Sequence, residues 1–170
     1  MVNIPVILVL FASMELSVFQ QPVGQPGYVS RLEGVVTQFQ QAKGMAFLAH
    51  SYASGRHFDD LVIGDVVTVK MSDNSTREFA VTGIERFRAV EPENEKSDFI
   101  DLQSGERLTA AELFEREYRD ADRLVLQTCI EMDDEKSWGR LFVVATPHRS
   151  NTTGAGPALP ISKDEMERDK

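Results

Sequence analysis

At 170 residues the chain is long enough for one domain with a real core and short for two. Its net charge of -9, with Lys and Arg scattered and outnumbered, leaves no clustered basic face and argues against a nucleic-acid binder. A single cysteine, Cys129, excludes an intramolecular disulfide, and with His50, His57 and His148 at spacings that fit no finger or ribbon it argues against a zinc site.

Taken in chain order, Ile4 to Ala12 is almost continuously apolar. It reads either as a first barrel strand or as a truncated, atypical signal segment, because no Lys or Arg precedes it and Glu15 follows. At about ten residues it is too short to cross a bilayer as a helix, and no membrane anchor is evident. Met45-Ala46-Phe47-Leu48-Ala49-His50 is an apolar, strand-like run that ends in a histidine. His57 lies further on, in the polar segment Gly55 to Asp60. Asp65 to Lys70 is β-branched and bounded by Gly64 and the turn cluster Ser72 to Ser75, and Arg77 to Phe87 follows as its hairpin partner. Apolar positions there fall at Phe79 and Val81 and then at Ile84 and Phe87, a phase shift that predicts a bulge at Gly83. A long polar connection, Glu91 to Asp122, carries one helical signal: Thr109 and Glu112 form a capping box that predicts a helix of about ten residues from Ala110. Two strands close the domain, Arg123 to Ile130 and Gly139 to Thr146, joined by an acidic loop, Glu131 to Lys136. After Pro147 the composition turns to Ser, Thr, Gly, Pro and charge, which predicts a disordered tail over residues 148–170. Several short strands with turn punctuation and little helix predict a mainly β, closed or nearly closed barrel.

Three residue types suited to acyl transfer stand at strand ends. Cys129 closes the run Leu124-Val125-Leu126-Gln127-Thr128-Cys129, Arg140 opens Arg140-Leu141-Phe142-Val143-Val144-Ala145, and His50 closes its own strand. A nucleophile, a proton-transfer partner and a fixed cation so placed are the parts of a cysteine acyl-transfer site. This arrangement resembles the sortase family, which marks its active site with a Thr-Leu-x-Thr-Cys strand, an arginine on the neighbouring strand and a histidine far upstream. Val125 replaces the first threonine and Ala49 stands where a glycine commonly precedes the histidine; neither change touches a reacting atom. The resemblance covers roughly Gly34 to Pro147. It implies a closed, eight-stranded sortase-type barrel with one or two short helices, divided as an N-terminal segment 1–33, a catalytic barrel 34–147 and the tail 148–170. It also implies a sorting-signal peptide of the Leu-Pro-x-Thr-Gly kind as substrate, an amine acceptor, and an extracellular or cell-surface setting.

Within that reading Cys129 is the nucleophile. The bland alternative is a buried small hydrophobe. A free thiol titrates at about 8.5, so a neighbouring cation must lower that value or select the ionised fraction. His50 is the acid that protonates the departing amine and then the base toward the incoming nucleophile, with His57 as its competitor. Arg140 holds substrate or oxyanion with its fixed fork of donors, unless it is an ordinary ion pair with Glu135 or Asp134. Thr128 and Trp138 are the candidate substrate-binding residues, although Trp138 could equally plug a barrel end. Some sortases are calcium-dependent, but Glu131 to Glu135 lacks the spaced ligands and central glycine of an EF-hand and reads as a solvated run. No metal or cofactor is expected. The rival reading, from a different class, is a sortase-fold module that serves as a binding or structural domain without catalysis.

Overall fold

In a computed structural model, which describes residues 4–148, the apolar runs become ten strands and one α-helix, β1 (Val6–Phe11), β2 (Met14–Gln20), β3 (Val35–Gln38), β4 (Met45–Leu48), β5 (Val66–Met71), β6 (Thr76–Ala89), β7 (Phe99–Asp101), β8 (Arg107–Leu108), α1 (Ala110–Tyr118), β9 (Leu124–Met132) and β10 (Glu135–Pro147). A 3-10 helix, Ser54–Asp60, lies between β4 and β5. Strands are hydrogen-bonded in the order β10-β9-β4-β3-β2-β1-β5-β6, and β6 pairs back onto β10, so eight strands close a barrel and β7 and β8 extend from β6. The β2–β3 and β4–β9 pairings are parallel and the rest antiparallel. The eight-stranded closed barrel is the one expected from the sequence.

Two apolar clusters explain why the last two strands are apolar without alternation. The barrel interior is filled by Val9, Phe11, Leu16, Val36, Phe47, Val67, Val69, Phe79, Leu124, Leu126, Leu141 and Val143. A second cluster covers the outside of β4, β9, β10 and β6, where Ala46, Val125, Phe142, Val144 and Phe87 pack under Leu113 and Tyr118 of α1 and Phe99 of β7. Because β9 and β10 are buried on both faces, Leu124-Val125-Leu126 and Leu141 to Ala145 are buried at every position.

The N-terminal apolar run is a strand: β1 pairs with β2 and β5, and a tight turn at Ala12, with φ of 49°, carries the chain into β2. The barrel therefore begins at Val6, ahead of the boundary expected at Gly34. The reason is that Leu16 and Val18 of β2 alternate with Glu15 and Ser17 and complete the interior layer. The phase shift in β6 is present: Gly83 pairs with Val144 and Val81 with Ala145, so Thr82 is the extra residue of a bulge. The helix forms where the capping box predicts, with Thr109 Oγ1 accepting from Glu112 N–H and Glu112 Oε2 accepting from Thr109 N–H at 2.8 Å. The acidic loop is corrected. β9 runs on to Met132 and β10 starts at Glu135, and Asp133 and Asp134, with φ of 49° and 67°, make a two-residue hairpin turn. The expected disordered tail falls outside the described residues except for His148, whose N–H donates to Glu78 O at 2.8 Å.

Candidate functional site

Cys129 and Arg140, expected at strand ends, lie within β9 and β10, because the two strands run on to the tight turn at Asp133-Asp134; β9 lies between β10 and β4, which ends two residues before His50. Arg140 is the direct cross-strand partner of Cys129, so both side chains leave the sheet on one face, at the roughly 4.5–5.5 Å Cβ spacing of such pairs. On the other side of β9, Leu48 is in register with Gln127, and Ala49 N–H donates to Gln127 O at 3.2 Å. Past Gln127 the ladder ends, and His50 follows two residues beyond β4, on the side of β9 away from Arg140. Ala49 packs into the interior cluster, whereas Leu48 and His50 are half-buried. The outer face of β4, β9 and β10 thus carries the rows Ala46/Val125/Val144 and Leu48/Gln127/Phe142; the third row is the pair Cys129/Arg140 at the edge of the apolar cover, with His50 just past the end of β4.

Each of these three residues has a distinct environment. Cys129 is half-buried. Burial holds the His50 imidazole below its ordinary value, the Val29 backbone carbonyl opposes that shift by accepting from the ring, and the Arg31 charge adds to it. Tyr52 stacks on the His50 ring at 4.9 Å between centroids and 12° between planes. Arg140 Nη1 donates to the backbone carbonyls of Gly139 at 2.9 Å and Ser137 at 3.4 Å, and its guanidinium lies 5.8 Å from the Phe99 ring centroid. Those carbonyls belong to an irregular stretch of β10: only Glu131 faces Lys136, Ser137 and Trp138 between the pairs Met132–Glu135 and Ile130–Gly139. Gly139 is needed there, because a Cβ would collide with Phe87 O of the adjacent strand.

The other sequence candidates divide. Trp138 is half-buried in the irregular stretch next to Arg140. Thr128 faces the interior layer, where it is buried, 4% exposed, and pairs with Leu141; its hydroxyl lies against Gly55 of the 3-10 helix, and it borders the same cavity as Cys129. Alternation along the pleat makes the inward face unavoidable for the residue preceding an outward cysteine. His57 sits on the 3-10 helix beside Glu33, with Nε2 to Oε1 at 3.3 Å, and lines a small cleft with Phe11 and Met14 at the β1–β2 turn. Arg140 makes no ion pair with Glu135 or Asp134; the ion pairs among the described residues involve other arginines. Among the described residues no group of three or more His, Cys, Asp or Glu could hold a metal.

Three features of the site had no sequence signal. Ser51 Oγ donates to Glu131 Oε1 at 2.7 Å, tying the turn after His50 to β9 two residues beyond Cys129. A cavity of about 270 Å³ opens at this end of the barrel, bordered by Ser51, Arg56, Arg86, Thr128, Cys129 and Glu131, and neither His50 nor Arg140 lines it. In the neighbouring row Tyr118 donates its hydroxyl hydrogen to Gln127 Oε1, which anchors the last turn of α1 to the strand of Cys129.

No protein-family model matches the chain, and no curated protein sequence matches it. Solved structures do. Sortase C from Clostridium perfringens SM101 is 15% identical, with 85% of this chain and 71% of that one covered and a TM-score of 0.54. Sortase C1 from Streptococcus suis is 14% identical, with 85% and 73% covered and a TM-score of 0.55. Sortase A from Corynebacterium diphtheriae is 14% identical, with 92% of this chain and 66% of that one covered and a TM-score of 0.56. The C. perfringens enzyme has also been solved with the C-terminal cell wall sorting motif. At these identities the likeness is one of fold: the chain has a sortase-like barrel.

Proposed function

We propose that this chain is a cysteine transpeptidase of the sortase type. What supports the reading is the cross-strand pair Cys129/Arg140 in a sortase-like barrel, with His50 two residues past the end of β4, the strand that flanks β9 on its other side. In the proposed reaction the Cys129 Sγ thiolate attacks a backbone carbonyl of a sorting-signal peptide, forming a C–S bond. The C–N bond breaks as imidazolium His50 gives its proton to the departing amine, leaving a thioacyl enzyme. An acceptor amine then attacks the thioester, His50 takes its proton, and the C–S bond breaks to regenerate the thiolate; water in place of the amine gives hydrolysis. Arg140 keeps Nη2 and Nε for the substrate or the developing oxyanion. Trp138 is the candidate wall of the peptide cleft, and Thr128, which borders the same cavity as Cys129, is the other candidate substrate contact. The substrate would be a protein bearing a C-terminal sorting signal and the setting the cell surface, as the sorting-motif complex of the C. perfringens enzyme suggests.

One observation favours the rival reading of a non-catalytic binding module: Arg140 Nη1 is turned onto its own strand's carbonyls. Arg140→Lys separates the two. Losing the planar fork should slow peptide cleavage by roughly 10²-fold if Arg140 serves the oxyanion, as for removal of one oxyanion donor. Near-normal turnover would reduce Arg140 to a structural brace for the irregular stretch of β10.

A further inference from the structure

His50 lies two residues past the last residue of β4, where the ladder to β9 has ended. Its backbone is fixed there, since its carbonyl accepts from Ala53 N–H and Gly55 N–H, both at 3.0 Å. Its side chain is not fixed by core packing, because the imidazole is only half-buried at the rim of the outer face. The next two residues supply the missing constraint. Tyr52 is 52% exposed, so core burial does not dictate its orientation, yet its ring lies almost parallel on the imidazole. Ser51 is bound to Glu131, which stands on the same face of β9 as Cys129 and two residues beyond it. The turn that presents Tyr52 is thereby tied to the strand that carries the thiol.

We propose that Tyr52 is a positioning residue: held in place by the Ser51–Glu131 hydrogen bond, its ring fixes the plane of the His50 imidazole so that the ring edge faces Cys129. The inference rests on reading His50 as the proton-transfer partner of Cys129. Stacking covers one face of the imidazole and leaves both nitrogens at its edge, one for the Val29 carbonyl and one for the reacting atoms. The charged or titratable groups that face the ring are Arg31 from the β2–β3 loop and Tyr52 stacked on it, while Glu131, Cys129 and Arg140 stand on the neighbouring strands β9 and β10. The contact is between rings, so the tyrosine hydroxyl is dispensable and the aromatic face is not.

The test compares Tyr52→Phe with Tyr52→Leu in the full chain, reading the His50 ring resonances by NMR across a pH titration and the cleavage of a sorting-signal peptide amide. In Tyr52→Leu the ring-current displacement of the His50 signals should vanish and their titration midpoint should rise toward that of an ordinary histidine. Its kcat should fall at least about tenfold with KM little changed, because misplacing a proton donor costs rate rather than binding. Tyr52→Phe should match the wild type in all of these. His50 resonances and turnover unaltered in Tyr52→Leu would overturn the proposal, as would a Tyr52→Phe variant that fails as the leucine variant does. Should the wild-type chain cleave no peptide, the transpeptidase reading falls, while the resonances of His50 still decide whether Tyr52 holds the ring.

Discussion

Burial around His50 sets its expected pH behaviour. It lowers the His50 value below that of a free histidine, so the ring loses its proton at lower pH than usual. Followed by NMR across a pH titration, the His50 ring should have its midpoint below about 6.5, the ordinary histidine value. A midpoint at or above that value would contradict the burial described for His50. The two histidines can be told apart by leaving group. His50→Ala should nearly eliminate turnover of an amide and recover on a thioester or activated ester, which needs little protonation, whereas His57→Ala should leave amide turnover mostly intact. If His57→Ala shows the recovery instead, the 3-10 helix belongs in the active site. His50, Cys129 and Arg140 could be read from the chain because each heads or closes an apolar run. Tyr52 and Glu131 could not, since a stack across a turn and a hydrogen bond spanning 80 positions leave no local pattern. The inward face of Thr128 was not legible, because the sequence motif carries no statement of which face a residue occupies.

Among the elements, α1 contains the least comfortable residue. Glu117 is fully buried, neither carboxylate oxygen has a hydrogen-bond partner, and Arg116 Nε and Arg123 Nη1 stand 3.4 and 3.8 Å away. Burial, with help from the Glu85 charge and against the two arginines, pushes its carboxyl up to about 7. A carboxyl whose folded value exceeds its unfolded one holds its proton longer in the folded state, so stability falls as pH rises from about 4.5 to about 7. The slope from this one group is at most about 1.4 kcal/mol per pH unit. Glu117→Gln, which mimics the protonated acid, should flatten urea-measured stability across that window; an unchanged slope would show that Glu117 is ionised throughout. The capping box of the same helix was legible because Thr109 and Glu112 are local to each other, and Thr109→Ala should cost about 1 kcal/mol in the same unfolding measurement. The turn between β9 and β10 was not legible. Asp133 and Asp134 carry charge that suggests a solvated loop, while their use here is conformational: both adopt positive φ, which Asp tolerates better than most residues.

The barrel as a whole joins local hairpins that sequence pattern reveals to long-range pairings that it does not. Alternation in β5 and β6 and the phase shift at Thr82-Gly83 announce one hairpin, and neighbouring strands usually pair. Nothing local announces that β4 runs parallel to β9 across some 80 positions of chain, and that pairing sets the end of β4, which His50 follows, against the strand of Cys129. The four residues of β3 are too few to show a period, and the resemblance to sortases supplied the barrel that periodicity alone left open. The central claim is that this barrel places a reactive thiol to form an acyl enzyme. Its most direct test is the intact mass of the full chain incubated with C-terminal sorting-signal peptides, followed by mapping of the modified residue. An acyl adduct confined to Cys129, absent from Cys129→Ala and accumulating when no amine is supplied, is the expected result. No adduct on a folded protein whose Cys129 still reacts with a small thiol reagent would contradict it and leave the barrel as a binding module.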